Sequence, residues 1–159
     1  MTGVRVEGDL GRFQDTIKNL SDIEMKELNQ LVGEVVRTGT VERFENSEDP
    51  EGNSWRNSLR ANSEGGKTLV QSAGLKNSIS VRATPKGFAV GTNKKYAAIH
   101  QFGGTIRAKS KKGLIFKING KFVRKQEIEI PSRPFLGISD SDKKEVKSTM
   151  DEYIGELIK

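Results

Sequence analysis

Apolar positions recur with a helical period at both ends of the chain and with a two-residue period through its middle. Val4–Arg5–Val6–Glu7 alternates as a short strand, and Asp9 caps a helix from Leu10 whose Phe13, Ile17 and Leu20 fall on one face. Ser21–Asp22–Ile23–Glu24 reads as a capping box that opens a second, longer helix. Leu28, Leu31, Val32, Val35 and Val36 form its apolar stripe, and the pattern runs on to Phe44. Gly33 and Gly39 each weaken that helix by about 1 kcal/mol relative to alanine. Two amphipathic helices joined so tightly are expected to pack antiparallel or lie side by side across a sheet.

Residues 46–68 read as a flexible connector. Pro50 and Gly52 suit the second and fourth positions of a turn, Trp55 pins the segment to the core, and residues 56–68 are polar and glycine-containing. From Thr68 the pattern changes. Leu69, Val70, Ala73, Leu75 and Ile79 lead into a hairpin, Ser80–Ala83 and Phe88–Gly91, turned at Thr84–Pro85–Lys86–Gly87. Tyr96–Ala97–Ala98–Ile99–His100–Gln101–Phe102–Gly103–Gly104 follows. Tyr96, Ile99 and Phe102 recur at threes, so the stretch predicts a short buried helix with Ala97 and Ala98 keeping it slim, ended by Gly103 or Gly104 in the left-handed conformation. Thr105–Ala108 is a further strand. Leu114–Ile118 and Lys121–Lys125 flank Asn119–Gly120, the pair that specifies a two-residue hairpin turn. In that register Phe116 faces Val123 and Lys117 faces Phe122, so neither face is cleanly apolar. Glu127–Ile130 alternates as another strand, and Pro131 and Pro134 hold the next segment extended while offering Phe135 and Leu136 for burial. A last helix is capped near Ser139–Asp142 and carries Val146, Met150, Tyr153, Ile154, Leu157 and Ile158 on one stripe.

At 159 residues the chain is one domain, with a helical part at 1–45, the connector at 46–68, a β-rich core at 69–138 and the closing helix at 139–159. Charge divides it differently. Fourteen of the 27 lysines and arginines lie between Gly65 and Gln126, where there is no acid, and the flanks carry the other 13 against all 21 acids. A basic middle between acidic ends fits a surface that faces nucleic acid, self-association in which ends meet middles, or a plain solvated surface. Eight of those bases, Arg107, Lys109, Lys111, Lys112, Lys117, Lys121, Arg124 and Lys125, fall on or beside the 107–125 hairpin. With its mixed faces, the hairpin reads as a projecting arm that meets another subunit or DNA.

The candidate chemistry is sparse. There is no cysteine, which excludes thiolate catalysis and cysteine-ligated zinc, and His100 is the single histidine. No nucleophile elbow, phosphate-cradling loop or paired carboxylates accompany it, so His100 reads as a hydrogen-bonded structural group rather than a catalyst. The acids around Asp49 fail the calcium-loop spacing, because the glycine comes two places early and Pro50 interrupts the ligands. Neither a metal nor a cofactor is expected. Arg133, held stiffly between two prolines, is placed to pair with an acid or lie on an aromatic face. No window approaches the length of a membrane span and no apolar run follows the N-terminal charges, so a soluble, unexported chain is expected.

Four blocks in order carry a resemblance: Phe44 with Asp49–Pro50–Glu51–Gly52 and Trp55; Lys67–Thr68–Leu69–Val70 with Ala73–Gly74–Leu75–Lys76–Asn77–Ser78–Ile79; Tyr96–Gly104; and Pro131–Ser132–Arg133–Pro134–Phe135–Leu136–Gly137. They resemble the phage virion morphogenesis family, also called tail completion proteins. The resemblance implies an α+β fold, with N-terminal amphipathic helices and a C-terminal helix packed on an antiparallel β-sheet. It also implies a non-enzymatic structural protein of the virion neck, acting where tail meets head as a ring-forming oligomer. Its partners would be further copies of itself and other neck, connector or tail proteins, with non-specific contact to genomic DNA and none to membrane. Its matching residues, Trp55, Tyr96, His100, Gln101, Phe102, Gly103, Gly104, Arg133, Pro134, Phe135 and Leu136, become the structural and interaction candidates. The rival reading is a small DNA-binding protein whose basic middle tracks the duplex, and an enzyme built on His100 ranks last.

Overall fold

A computed structural model describes residues 15, 18, 23–118 and 120–158. The strand expected at 4–7, the first helix with Phe13, Ile17 and Leu20, and the Ser21–Asp22 half of the capping box lie outside the described residues. The long helix, α1, spans Met25–Asn46, with Glu24 as an N-cap that contributes no side-chain bond. Its buried row is Leu28, Val32, Val36, Thr40 and Phe44, every fourth residue, joined by Gly33 and Arg43. Leu31 is exposed and Val35 only half-buried, so the apolar stripe is narrower than expected and its C-terminal half is continued by polar side chains. The two glycines turn out to be packing points. A Cβ on Gly33 would strike Val81, and one on Gly39 would strike the Asp142 carboxylate.

The stretch beyond α1 is built rather than featureless. The Asp49 carboxylate accepts the amides of Glu51 and Asn53 at 3.0 and 2.8 Å, closing a tight loop whose ends meet at the Glu48–Ser54 bridge. Helix α2, Leu59–Glu64, was not expected there. Ser58 caps it by accepting the Ala61 amide at 3.1 Å, and Gly65 ends it at φ 78°. A 3₁₀ turn, Lys76–Ser78, leads to β1, Ser80–Thr84, and β2, Gly87–Gly91. This hairpin lies on one flank of α1, and the last helix, α4, Asp140–Leu157, packs on α1 as well.

Between them come α3, Ala97–Phe102, and the strands β3, Gly104–Arg107; β4, Leu114–Ile118; β5, Lys121–Lys125; and β6, Glu127–Ile130. They do not join into one sheet. Three two-stranded antiparallel ribbons form instead, β1–β2, β3–β6 and β4–β5. Strand β3 pairs with β6, Gly104 opposite Ile130 and Arg107 opposite Glu127, and the β4–β5 hairpin is an excursion inserted between them. The Ala108 amide closes its base on the Gln126 carbonyl at 2.8 Å. Phe116 does face Val123, and Lys117 faces Phe122. One face of the arm, with Leu114, Phe116, Ile118 and Val123, is half-buried, while Ile115 and Phe122 point outward.

The core gathers Phe44, Trp55, Leu75, Ile79, Ala97 and Phe135, with Leu69, Val70, Val90 and Leu136 packed against it. Phe44 meets the Trp55 ring edge-on at 5.6 Å and the Phe135 ring at 5.2 Å. The expected core role of α3 is corrected here. Of its residues only Ala97 is buried; Tyr96 is exposed and Phe102 is 79% exposed. At one and a half turns the helix is too short to bury a face, and it docks through its polar groups. The apolar stripe of α4 is likewise only half-buried, with Met150 and Ile158 exposed.

Candidate functional site

Two features stand out: the segment Pro131–Gly137 bound against α3 and α1, and the basic arm. The segment is extended because its prolines fix φ and remove donors, which leaves its remaining amides and carbonyls to be met by side chains. Gln101 does this from α3. Its Oε1 accepts the amides of Phe135 and Leu136, both at 3.0 Å, and its Nε2 donates to the Leu136 carbonyl at 3.0 Å. The Arg133 amide donates to the His100 carbonyl at 2.7 Å, and the Trp55 indole donates to the Pro134 carbonyl at 2.9 Å. Gly103 sits at φ 72°, and a Cβ there would lie 2.8 Å from the Ser132 amide nitrogen. Glycine is therefore required both by the backbone angle and by the close approach of the segment. Phe135 is fully buried, and Pro134 and Leu136 are half-buried.

Below the segment lies a buried ion pair that sequence reasoning missed. Arg43 of α1 pairs with Asp142 of α4, each 4% exposed. The Arg43 guanidinium also donates to the carbonyls of Phe135 and Gly137 at 3.2 and 3.1 Å and to the Thr40 hydroxyl at 3.3 Å. Asp142 in turn accepts the Ser139 amide at 2.8 Å, while Ser139 Oγ accepts the Asp142 amide, completing the expected cap of α4. One guanidinium thus ties the long helix, the docked segment and the last helix together. The signal was a charged residue three positions after Thr40 and next to Phe44, on the face that the 28, 32, 36, 40, 44 row buries.

Arg133 and His100 both differ from expectation. Arg133 is 5% exposed, yet among the described residues it makes neither an ion pair nor an aromatic contact; its Nε donates to the Arg56 carbonyl at 2.7 Å. Burial, then the nearby Arg56 charge, lowers its pKa. The Nδ1 of His100 is buried without a hydrogen-bond partner among the described residues, so the ring is held by packing, edge-on to Tyr96 at 6.1 Å, rather than by hydrogen bonds. Burial, followed by the Arg133 charge, depresses its pKa and favours the neutral imidazole. Among the described residues no group of three or more histidines, aspartates or glutamates could hold a metal ion.

The arm presents Arg107, Lys109, Lys111, Lys112, Lys117, Lys121, Arg124 and Lys125 as exposed side chains. Among the described residues one of them pairs with an acid, Arg107 with Glu127 at 3.3 Å. Gly104 and Ile106 on β3 are exposed as well. Elsewhere Glu45 of α1 joins Lys67 and Lys76, whose hydrogen bonds and charges hold its carboxyl down to about 2. Among the described residues no helix is long and apolar enough to cross a membrane.

The model of the phage virion morphogenesis family matches residues 8–155. The Mu-like prophage FluMu G protein 2 of Haemophilus influenzae is 34% identical over 94 residues, 59% of this chain and 56% of that protein, so the match spans little more than half the relative's length. No solved structure matches the chain.

Proposed function

The chain belongs to the phage virion morphogenesis family, and from that premise we propose that it is a structural virion protein that completes the tail and joins it to the head, working at the neck as a ring-forming oligomer. The observation that carries this reading is the exposed apolar surface on consecutive elements. Phe102 is 79% exposed, Ile106 40%, Ile115 58% and Phe122 80%. Large side chains held in water on a rigid scaffold are the usual mark of surface that a partner covers. The basic charge of the same elements and the acids of α4 give such contacts opposite signs to pair. The arm is the part with the most exposed apolar and basic side chains, and it carries the inter-subunit or head–tail contact.

Replacing residues 109–125 with Asn-Gly keeps Ala108 and Gln126, whose backbone hydrogen bond closes the base of the arm, and gives the β3–β6 pair a two-residue turn, so the rest of the fold is expected to stay in place. The expected outcome is a soluble, folded protein that no longer supports tail attachment in a complementation assay and assembles with fewer subunits than the parent by native mass spectrometry. Intact tailed particles from this variant would overturn the reading. A basic, arm-bearing chain also fits a duplex-binding protein. Stoichiometric DNA binding that weakens steeply with salt, by an unassembled monomer, would favour that alternative.

A further inference from the structure

Arg133 is a buried cation with no ion-pair partner among the described residues, and it lies in the wall of a groove. The groove encloses about 540 Å³, within the range of roughly 300–1,000 Å³ that ligand sites occupy. One side is the consecutive stretch Ile128–Glu129–Ile130–Pro131, and the other is Arg56–Asn57–Ser58–Leu59, with Phe116 of the arm over it. Because successive strand residues point to opposite faces, four in a row can line one groove only if it runs along the strand's edge. Among the described residues strand β6 has such an edge, since β3 is its one pairing partner there.

Among the described residues no acid compensates the charge inside. Arg133 spends its Nε on the Arg56 carbonyl, and its two terminal nitrogens make no hydrogen bond among the described residues. Arg56 adds a second positive charge close enough to depress the pKa of Arg133. Glu129 lines the same groove but is exposed and forms no ion pair with either arginine among the described residues. The buried side-chain atoms that lack a hydrogen-bond partner among the described residues do not include these two nitrogens, so they open to the groove, where a carboxylate accepts the guanidinium fork with two parallel bonds.

We propose that this groove receives an extended segment of a partner protein, added to the free edge of β6, that places a glutamate or aspartate carboxylate on Arg133 and apolar side chains against Leu59, Phe116 and Ile130. The chemistry selects a peptide over nucleic acid. The walls are mostly apolar, the guanidinium is sunk rather than presented, and the lysines that suit phosphates are exposed on the arm. The inference does not depend on a neck location, since it follows from the groove alone.

The test uses the full chain and two fluorescent five-residue peptides, blocked at both ends, one alternating isoleucine with glutamate and the other isoleucine with glutamine. The glutamate peptide is expected to bind about tenfold or more tighter, because charge-assisted bonds to Arg133 are lost in the glutamine form. Leu59 is 63% exposed, so Leu59→Asp leaves the fold intact while placing a negative charge on the groove wall, and it is expected to abolish binding. Arg133→Gln is expected to equalise the two peptides, and Leu59→Asp keeps the proposal testable if Arg133→Gln fails to fold. Three results would overturn it: no binding of the glutamate peptide at millimolar concentration, equal affinity for both peptides, or unchanged binding by Leu59→Asp. Tighter binding of a DNA oligonucleotide that Leu59→Asp abolishes, or self-association of the chain that Leu59→Asp abolishes in the absence of peptide binding, would assign the groove to another occupant and overturn it as well.

Discussion

Removing Asp142 tests the claim that one buried ion pair holds three parts of the chain together. In Asp142→Ala the Arg43 guanidinium stays buried beneath Phe135 and Gly137 with its charge uncompensated. Breaking one side of such a pair costs about 3–5 kcal/mol. The Ser139 amide also loses its acceptor, although Ser139 Oγ keeps its own half of the cap. The two losses share one carboxylate and do not add in full, so about 4 kcal/mol is expected. For a domain of this size, about 2–4 °C per kcal/mol converts that to a fall in Tm of roughly 8–16 °C. Urea and thermal unfolding at neutral pH, followed by circular dichroism, measure it directly. The decisive comparison is the cycle with Arg43→Met. An unpaired Asp142 is as costly as an unpaired Arg43, so each single variant is strongly destabilised, whereas the double variant leaves no stranded charge and falls well short of the sum. A single variant within about 0.5 kcal/mol of the parent, or a double variant equal to the sum, would refute the coupling.

Gly39→Ala tests the same pair from the opposite side. The helix gains about 1 kcal/mol of propensity, but the new Cβ occupies the place of the Asp142 carboxylate, so a lower melting temperature is expected and a higher one would contradict the packing. Phe135→Ala, at a fully buried ring, is expected to cost about 3–5 kcal/mol in urea unfolding, whereas Phe102→Ala, 79% exposed, is expected to stay within about 0.5 kcal/mol. Equal losses would return Phe102 to the core. His100 gives a pH dependence. Burial, then Arg133, lowers its folded pKa below the ordinary histidine value, so below about pH 6.5 the unfolded chain binds the proton more readily and stability falls as pH drops; above it the contribution is complete. Melting temperature measured between pH 5 and pH 7.5 is expected to slope downward towards acid in the parent and to flatten in His100→Gln, and an unchanged slope in the variant would remove His100 as the cause.

Local structure was legible wherever the chain carries its own punctuation. The strands expected at 80–83, 88–91, 114–118, 121–125 and 127–130 form, the first two each extended by one residue into the turn between them, and the cap of α4 follows from Ser139 and Asp142 at the right spacing. How the strands combine was not legible. Alternation fixes which face a residue takes but not which neighbour a strand finds, and β3 reaches past the arm to pair with β6. The short helix α2 hides in a polar stretch because Ser58, a capping serine, also reads as a loop residue. On α1, apolar residues three and four apart both fit a stripe, and Leu31 was assigned inward where Thr40 and Arg43 belong. Burial of an arginine depends on an acid 99 positions away, which no local pattern reports.

The docked segment and α3 divide the same way. Gln101 and Phe135 lie in blocks whose mixture of amide, proline and aromatic residues announces a fixed contact, and the two blocks do meet. Phe102 sits one residue from Gln101 and was read as core because an apolar residue at a regular spacing is recorded in the sequence identically whether its own fold or a partner covers it. The same ambiguity applies to Ile115 and Phe122 on the arm. A folded chain that keeps a phenylalanine 79% exposed beside a glycine whose conformation is fixed by packing is not short of ways to bury it. The turn at Gly103, fixed by its close approach to Ser132, is followed by a strand that leaves this ring outward, and under the proposal that a partner covers it, the apolar positions the fold leaves exposed are the ones an assembly would bury.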